Sequence, residues 1–378
     1  MRIGIIGAGH AGVESARSVA SSGNEAVLFC GEQFLPYYRP RVVAYAFGQS
    51  TLQDCLMHDE GWYRQNGITL RQRSLVSSIN TASVSVAVAG AEEQFDGLIL
   101  STGAAPLVPD AFKGARNVMP LWTLEDAERI RGVLKPGGKL IIIGGGVIGI
   151  ETALRAADVG VSVVVLEKMD KIMAQHLTLK TSQALCVLLE QKRVSLLCGV
   201  TVKALRQSGD TVQVTMNDES LMQADVVLVS MGAARDLSLF RKAGITCDRG
   251  VIADEYMMTS SDKVFVCGDI AQTGHVLRCS ARNAMAQAKC ATGNLLASLS
   301  GGAMVPYISA YEPLMMKYKD TELYAAGILP ADGYDEEVIP DAELEAGYAV
   351  RIKSRGITAG IQIVGRGKGL MRYLKEVK

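Results

Sequence analysis

Residues Lys139-Leu140-Ile141-Ile142-Ile143-Gly144-Gly145-Gly146-Val147-Ile148-Gly149-Ile150-Glu151 decide how this chain is read. Four consecutive apolar residues run into G-x-G-x-x-G, and an alanine-bearing helical pattern follows. The expected structure is a strand, a tight turn and a helix start. Glycines let the backbone turn and approach a pyrophosphate, and the helix N-terminus offers it free N–H groups and a positive dipole. A lone match is weak evidence. The chain opens on a second copy, Ile3-Gly4-Ile5-Ile6-Gly7-Ala8-Gly9-His10-Ala11-Gly12. Two copies predict two nucleotides and a transfer between them.

Each copy heads a longer unit. Strand Arg2–Ile6, helix His10–Ser22 and strand Ala26–Cys30 are expected in the first unit. Strand Leu140–Ile143, helix Val147–Val159 and strand Val161–Leu166 are expected in the second. Helical stretches follow at Leu56–Asn66 and Thr181–Gln191. Alternating pairs then read as hairpins: Leu75–Asn80 with Ser83–Ala89, and Thr201–Gln207 with Thr211–Met216. The closing strands Phe95–Leu100 and Val226–Val229 run into Ser101-Thr102-Gly103-Ala104 and Ser230-Met231-Gly232-Ala233. From Gly7 to Gly103 is 96 residues, and from Gly144 to Gly232 is 88. The parallel order of features predicts an internal duplication. Later come Val264-Phe265-Val266-Cys267-Gly268-Asp269 and a helical run over Cys279–Ser298. Four strands (Leu314–Tyr318, Glu322–Gly327, Tyr348–Lys353, Thr358–Val364) and a closing helix Gly369–Glu376 then read as a small α+β domain.

Two acids stand where a dinucleotide fold needs them. Glu32 follows Gly12 by 20 residues and Glu167 follows Gly149 by 18. A carboxylate there accepts hydrogen bonds from a ribose, and one in the second unit repels a 2′-phosphate. That favours NADH over NADPH, although Lys168, Lys171 and Arg235 would soften the preference. Between these features lies Phe34-Leu35-Pro36-Tyr37-Tyr38-Arg39-Pro40-Arg41, an aromatic, proline-stiffened, basic stretch outside regular structure.

With 378 residues the chain has room for two or three domains. A hydrophobic content of 48%, a charged content of 21% and a formal net charge of zero describe an ordinary globular protein. They point to neither nucleic acid nor an anionic membrane. There is no apolar run of membrane-spanning length and no signal-peptide pattern, so a cytoplasmic protein is expected. None of the eight cysteines forms C-x-x-C or C-x-x-x-x-C, which argues against a local redox disulfide or a clustered metal site. The four histidines show no metal spacing either, and no metal is expected.

On these motifs the chain resembles the FAD-dependent pyridine-nucleotide reductases of the two-dinucleotide-domain type, over essentially its whole length. Within them it is most similar to NADH:rubredoxin and flavorubredoxin reductases, and to the FAD/NAD portion of NADH-dependent nitrite reductases. The resemblance implies an α/β fold with two Rossmann-like dinucleotide-binding domains, the NAD domain inserted into the FAD domain, plus a small α+β C-terminal domain. The implied boundaries are 1–109 and 236–305 for FAD, 110–235 for NAD(H) and 306–378 for the last domain. Non-covalent FAD would lie on Gly7, Gly9, His10, Ala11 and Gly12, with Glu32, Arg39, Pro40, Thr102, Gly103 and Gly268. Asp269 would take the ribityl chain. NADH would lie on Gly144, Gly146, Val147, Ile148 and Gly149, with Glu167 and Gly232. Glu151 would reach the nicotinamide amide, or else serve as an ordinary first-turn acid.

The implied reaction is hydride transfer from nicotinamide to flavin, then single electrons to rubredoxin or a similar small protein. Arg39 is the expected catalytic residue, a fixed cation stabilising charge on the reduced ring. Disulfide-reducing relatives carry a cysteine pair after this region, whereas this chain has Arg39-Pro40, so electrons would leave without a thiol relay. A monomer or homodimer is expected. The alternatives are an NADH oxidase or diaphorase, a flavin-based redox sensor, or the FAD/NADH component of a nitrite-reducing system.

Overall fold

The computed structural model describes residues 1–274, 279–309, 313–340, 344–367 and 377. The expected closing helix at 369–376 and His275 lie outside the described residues. Contacts divide the chain into two compact units. One holds residues 1–41, 50–105 and 233–310; the other holds 42–49, 106–232 and 311–378.

The first unit is built on five parallel strands in the order Ile68–Arg71, Glu25–Phe29, Arg2–Ile6, Gly97–Leu100, Val264–Val266. The second repeats that plan with Val194–Cys198, Ser162–Glu167, Lys139–Ile143, Val226–Val229 and Val118–Met119. Both sheets therefore start at a glycine-loop strand, step outward twice, and return to the other side. The fifth strand comes from late in the chain in one unit and from just before the repeat in the other. Ile3, Ile5, Leu140 and Ile142 are all 0% exposed. Sheets covered on both faces select such uninterrupted apolar strands.

In the first unit, helix His10–Ser21 packs on helix Ala281–Ser300. Small residues make the approach possible: Ala11, Gly12, Ser15 and Ala16 on one helix, and Ala284, Ala288 and Ala291 on the other, are buried. In the second unit, a five-stranded antiparallel sheet runs Leu314–Tyr318, Thr321–Gly327, Ile357–Gly367, Leu344–Ser354, Asp335–Val338. Helix Leu179–Gln191 packs against it.

Several expected elements differ in detail. Of the helix expected over Leu56–Asn66 only Glu60–Gln65 is helical, and a separate short helix, Leu52–Cys55, precedes it. Leu56 turns extended and bridges to Tyr37, and the Asp59 side chain caps the second helix through the Trp62 N–H at 2.7 Å. Each expected hairpin is a three-stranded meander, completed by Ala91–Gln94 and Leu221–Ala224. Strand Asp335–Val338 joins the four strands expected in the C-terminal sheet.

Burial holds His10, His58 and His176 below the ordinary histidine range; Arg39 adds to this at His10, while Asp59 opposes it at His58. A folded histidine that refuses a proton the unfolded chain accepts costs stability as pH falls from about 6.5 towards the lowered pKa. The melting temperature is therefore expected to fall on acidification over that window, and less so in His176→Gln. A profile identical in the variant and the parent would contradict this assignment for His176.

Candidate functional site

The first glycine loop is set by steric necessity. Gly7 has φ +102°, and a Cβ there would lie 2.5 Å from the Ser101 carbonyl oxygen. A Cβ on Gly12 would lie 1.8 Å from the Gly7 oxygen. Gly9 differs, because a Cβ there meets nothing within 4 Å. It is the N-cap of helix His10–Ser21, and no side chain caps that helix. By contrast, the helices starting at Leu124, Leu179 and Ala281 are capped by Thr123, Thr178 and Ser280. The helix start thus has no side-chain cap and has open space beside its N-cap Cα, an arrangement that suits an anion.

Around this loop the fold gathers the other expected residues of the unit. Glu32 follows the second strand, and its carboxylate accepts from Arg39 Nη2 at 2.6 Å and from the Tyr37 hydroxyl at 2.5 Å. Arg39 is thus placed on Glu32 by the three-residue helical turn Arg39–Arg41 that Pro40 helps to fix. His10, half-buried, has its ring centroid 5.6 Å from that of Tyr38. Gly268 reaches the same helix start: a Cβ on it would lie 3.0 Å from the Ala11 Cβ. Its N–H donates to Gln287 Oε1 at 2.8 Å. Asp269 follows, and burial pushes its carboxyl up against the opposing pull of Arg235 and Arg39. Arg235 is held within this unit, donating to the Asp269 carbonyl and to Cys279 Sγ. Thr102 is exposed, and Gly103 carries φ +72°.

Two further residues support the loop and its surroundings. The Ser101 hydroxyl donates to the carbonyls of Ile6 and Gly7 at 3.0 and 2.8 Å, locking the loop to the fourth strand. Its signal was the serine opening Ser-Thr-Gly-Ala. Asn283 in the first turn of the helix beginning at Ala281 is buried, its Oδ1 taken by the Tyr307 hydroxyl at 2.5 Å, and its Nδ2 has no partner. An orphaned buried donor beside an uncapped loop and a half-buried acid fits a polar cofactor in this unit.

The second unit repeats the loop. Gly144 has φ +112°, with a Cβ 2.2 Å from the Ser230 oxygen; a Cβ on Gly149 would lie 2.1 Å from the Gly144 oxygen. Gly146 is the N-cap of helix Val147–Asp158, without a side-chain cap and open beyond its Cα. Val147 is half-buried and Ile148 exposed. Gly145, another residue the motif left unassigned, donates its N–H to Glu167 Oε2 at 2.7 Å. Glu167 Oε1 accepts the Met169 N–H at 2.8 Å. Glu151 accepts from Arg155 Nε at 2.9 Å, and Arg155 in turn lies 4.8 Å over the Tyr318 ring. Gly232, φ +105°, accepts the Leu107 N–H.

Among the described residues there is no group of three or more metal-ligating side chains, and no helix is long and apolar enough to cross a membrane. All eight cysteines are free. Burial pushes the Cys267 thiol to about 12 and the Cys186 thiol to about 11, so neither is a ready nucleophile.

The chain is 28% identical over 373 residues to a probable ferredoxin reductase of Castellaniella defragrans, covering 95% of this chain and 89% of that one. It is 30% identical to a rubredoxin-NAD(+) reductase of Ectopseudomonas oleovorans, covering 72% of each. Among solved structures it matches the reductase of the covalent putidaredoxin reductase–putidaredoxin complex at 27% identity, with a TM-score of 0.85 over 96% of this chain and 89% of that one. NADH:rubredoxin oxidoreductase from Clostridium acetobutylicum shares the fold at 20% identity and a TM-score of 0.82, covering 100% of this chain and 95% of that one. The family model of the pyridine nucleotide-disulphide oxidoreductases matches residues 1–293, and the chain belongs to that family.

Proposed function

We infer that this chain is an FAD-dependent oxidoreductase that passes electrons from NADH to a small electron-transfer protein of the rubredoxin or ferredoxin type. The observation that carries the reading is the pair of glycine loops, each opening an uncapped helix whose N-cap glycine faces open space. The ferredoxin and rubredoxin reductases among its relatives supply the acceptor class. We assign FAD to the unit of Gly7, Glu32 and Asp269, and NADH to that of Gly144 and Glu167. Bound FAD supplies the exchange between a two-electron hydride donor and a one-electron acceptor.

The chain's own groups then bind and orient. The two loops hold pyrophosphates on helix dipoles. Asp269, raised by burial, is suited to hydrogen-bond a ribityl hydroxyl. Arg39 acts through Glu32, keeping that carboxylate turned towards a ribose. Arg39→Ala is expected to weaken FAD binding about tenfold by removing one charge-assisted bond. Flavin reduction in the reconstituted protein should change little. Full FAD affinity with slowed reduction would instead put Arg39 at the reacting ring.

The function is tested by anaerobic NADH oxidation against purified rubredoxins and two-iron ferredoxins. Turnover with one of them well above that with oxygen supports the reading. Fast turnover with oxygen alone would make the protein an oxidase.

A further inference from the structure

Gln362 lies in strand Ile357–Gly367 of the C-terminal sheet, 2% exposed between Ile361 and Ile363, each 0% exposed. A polar side chain that buried needs partners, and both of its partners belong to one distant segment. Its Oε1 accepts the Thr178 N–H at 2.9 Å, and its Nε2 donates to the His176 carbonyl at 2.7 Å. An amide is suited to this, since it offers one acceptor and a donor side by side. The segment so held, residues 168–178, joins strand Ser162–Glu167 to helix Leu179–Gln191.

That segment is the roof of the second glycine loop. The N–H groups of His176 and Leu177 bond to the Met173 carbonyl at 2.8 and 3.0 Å, and the Met173 N–H donates to the Gly145 carbonyl at 2.9 Å. Ile172, 0% exposed, packs so closely that a Cβ on Gly145 would lie 2.9 Å from its Cγ2. The Ser182 hydroxyl fixes the Ile172 carbonyl at 2.9 Å. Met173 itself has φ +54°, a left-handed conformation that a non-glycine residue keeps only when its surroundings impose it. An unbroken run of bonds thus leads from Gln362 through His176 and Met173 to Gly145.

We propose that Gln362 is a positioning residue for NADH: from the C-terminal sheet it sets the segment that holds the nucleotide loop in its binding shape. The proposal rests on the reading that Gly144–Gly149 takes NADH. It gives the C-terminal sheet a part in nucleotide binding through a residue remote in sequence from every glycine motif.

The test uses FAD-loaded Gln362→Met, Gln362→Glu and, as a control on the loop itself, Gly146→Glu, whose side chain enters the open space at that N-cap. Steady-state kinetics with ferricyanide as acceptor give kcat and KM for NADH, and absorbance gives FAD content. Gln362→Met strands a buried N–H and a buried carbonyl, and is expected to raise KM roughly tenfold with kcat within about twofold and full FAD content. Gln362→Glu keeps the acceptor for Thr178 but sets a carboxylate oxygen against the His176 carbonyl, so its KM should rise at least as far. A raised KM in Gly146→Glu with parental KM in both Gln362 variants overturns the positioning role alone. Parental KM in all three overturns the assignment of NADH to this loop as well. A fall in kcat at constant KM in the Gln362 variants marks a merely structural residue and also overturns the proposal. Should Gln362→Met fail to fold, Gln362→Glu decides between the same outcomes.

Discussion

The Gly12→Val protein is expected to purify with little or no FAD while still binding NAD nucleotides, and Gly149→Val is expected to do the reverse. At both positions the first carbon of any side chain lands inside a backbone carbonyl: 1.8 Å from the Gly7 oxygen in one loop, 2.1 Å from the Gly144 oxygen in the other. Neither carbonyl can yield independently. The Gly7 oxygen is bonded to the Ser101 hydroxyl, and the Gly144 carbonyl shares its peptide plane with the Gly145 N–H, which is bonded to Glu167. The helix start must therefore move by about an ångström or more, and displacements of that order at a binding loop cost on the order of a hundredfold. Flavin absorbance and calorimetric titration with NAD nucleotide check each variant. The mirror-image losses matter more than their size. Loss of FAD from Gly149→Val, with NAD nucleotide binding kept, would exchange the cofactors between the two units.

Glu167→Ala is expected to lower kcat/KM for NADH on the order of a hundredfold or more, and to lower NADPH use much less. The carboxylate carries two backbone N–H groups, from Gly145 and Met169, at 2.7 and 2.8 Å. Hydrogen bonds to a charged group contribute about 1.5–3 kcal/mol each, and every 1.4 kcal/mol is about tenfold. Removing the acid therefore loosens the loop for either nucleotide. For NADPH it also removes the negative charge that opposes a 2′-phosphate, so part of the loss is returned. The ratio of kcat/KM for the two nucleotides should fall. An unchanged ratio would show that Glu167 shapes the loop without reading the ribose.

The glycine loops were legible because backbone sterics act locally. Gly7 and Gly144 occupy φ near +100° and face carbonyls that exclude any other residue, so their spacing survives in the bare sequence. The duplicated sheet was legible for a related reason, since strands buried on both faces must be apolar throughout. The misses lie where that pressure is absent. Strand Ala91–Gln94 is polar and mostly exposed, and Leu221–Ala224 is short and fully buried only at Ala224, so neither shows the alternation of a half-buried strand. Ile68–Arg71 mixes apolar and polar residues and buries only Ile68 fully, so it shows no apolar run.

The candidate site could be read as residues and not as pairings. Glu32 and Arg39 each stood out, but the stretch between them is irregular and proline-rich, and no periodicity predicts that one side chain closes on the other. Gln362 gave no signal as a site residue. Its meaning lies in Thr178 and His176, which are 184 and 186 residues away.

In the proposed reaction electrons pass from NADH through FAD to a small redox protein with no thiol between them. Anaerobic rapid mixing follows this transfer through the flavin absorbance of the purified protein. NADH should bleach the flavin band at one equivalent per chain, and oxidised rubredoxin or two-iron ferredoxin should restore it within the time of a catalytic turnover. A band that NADH leaves unchanged, or that only oxygen restores, would rule this electron path out.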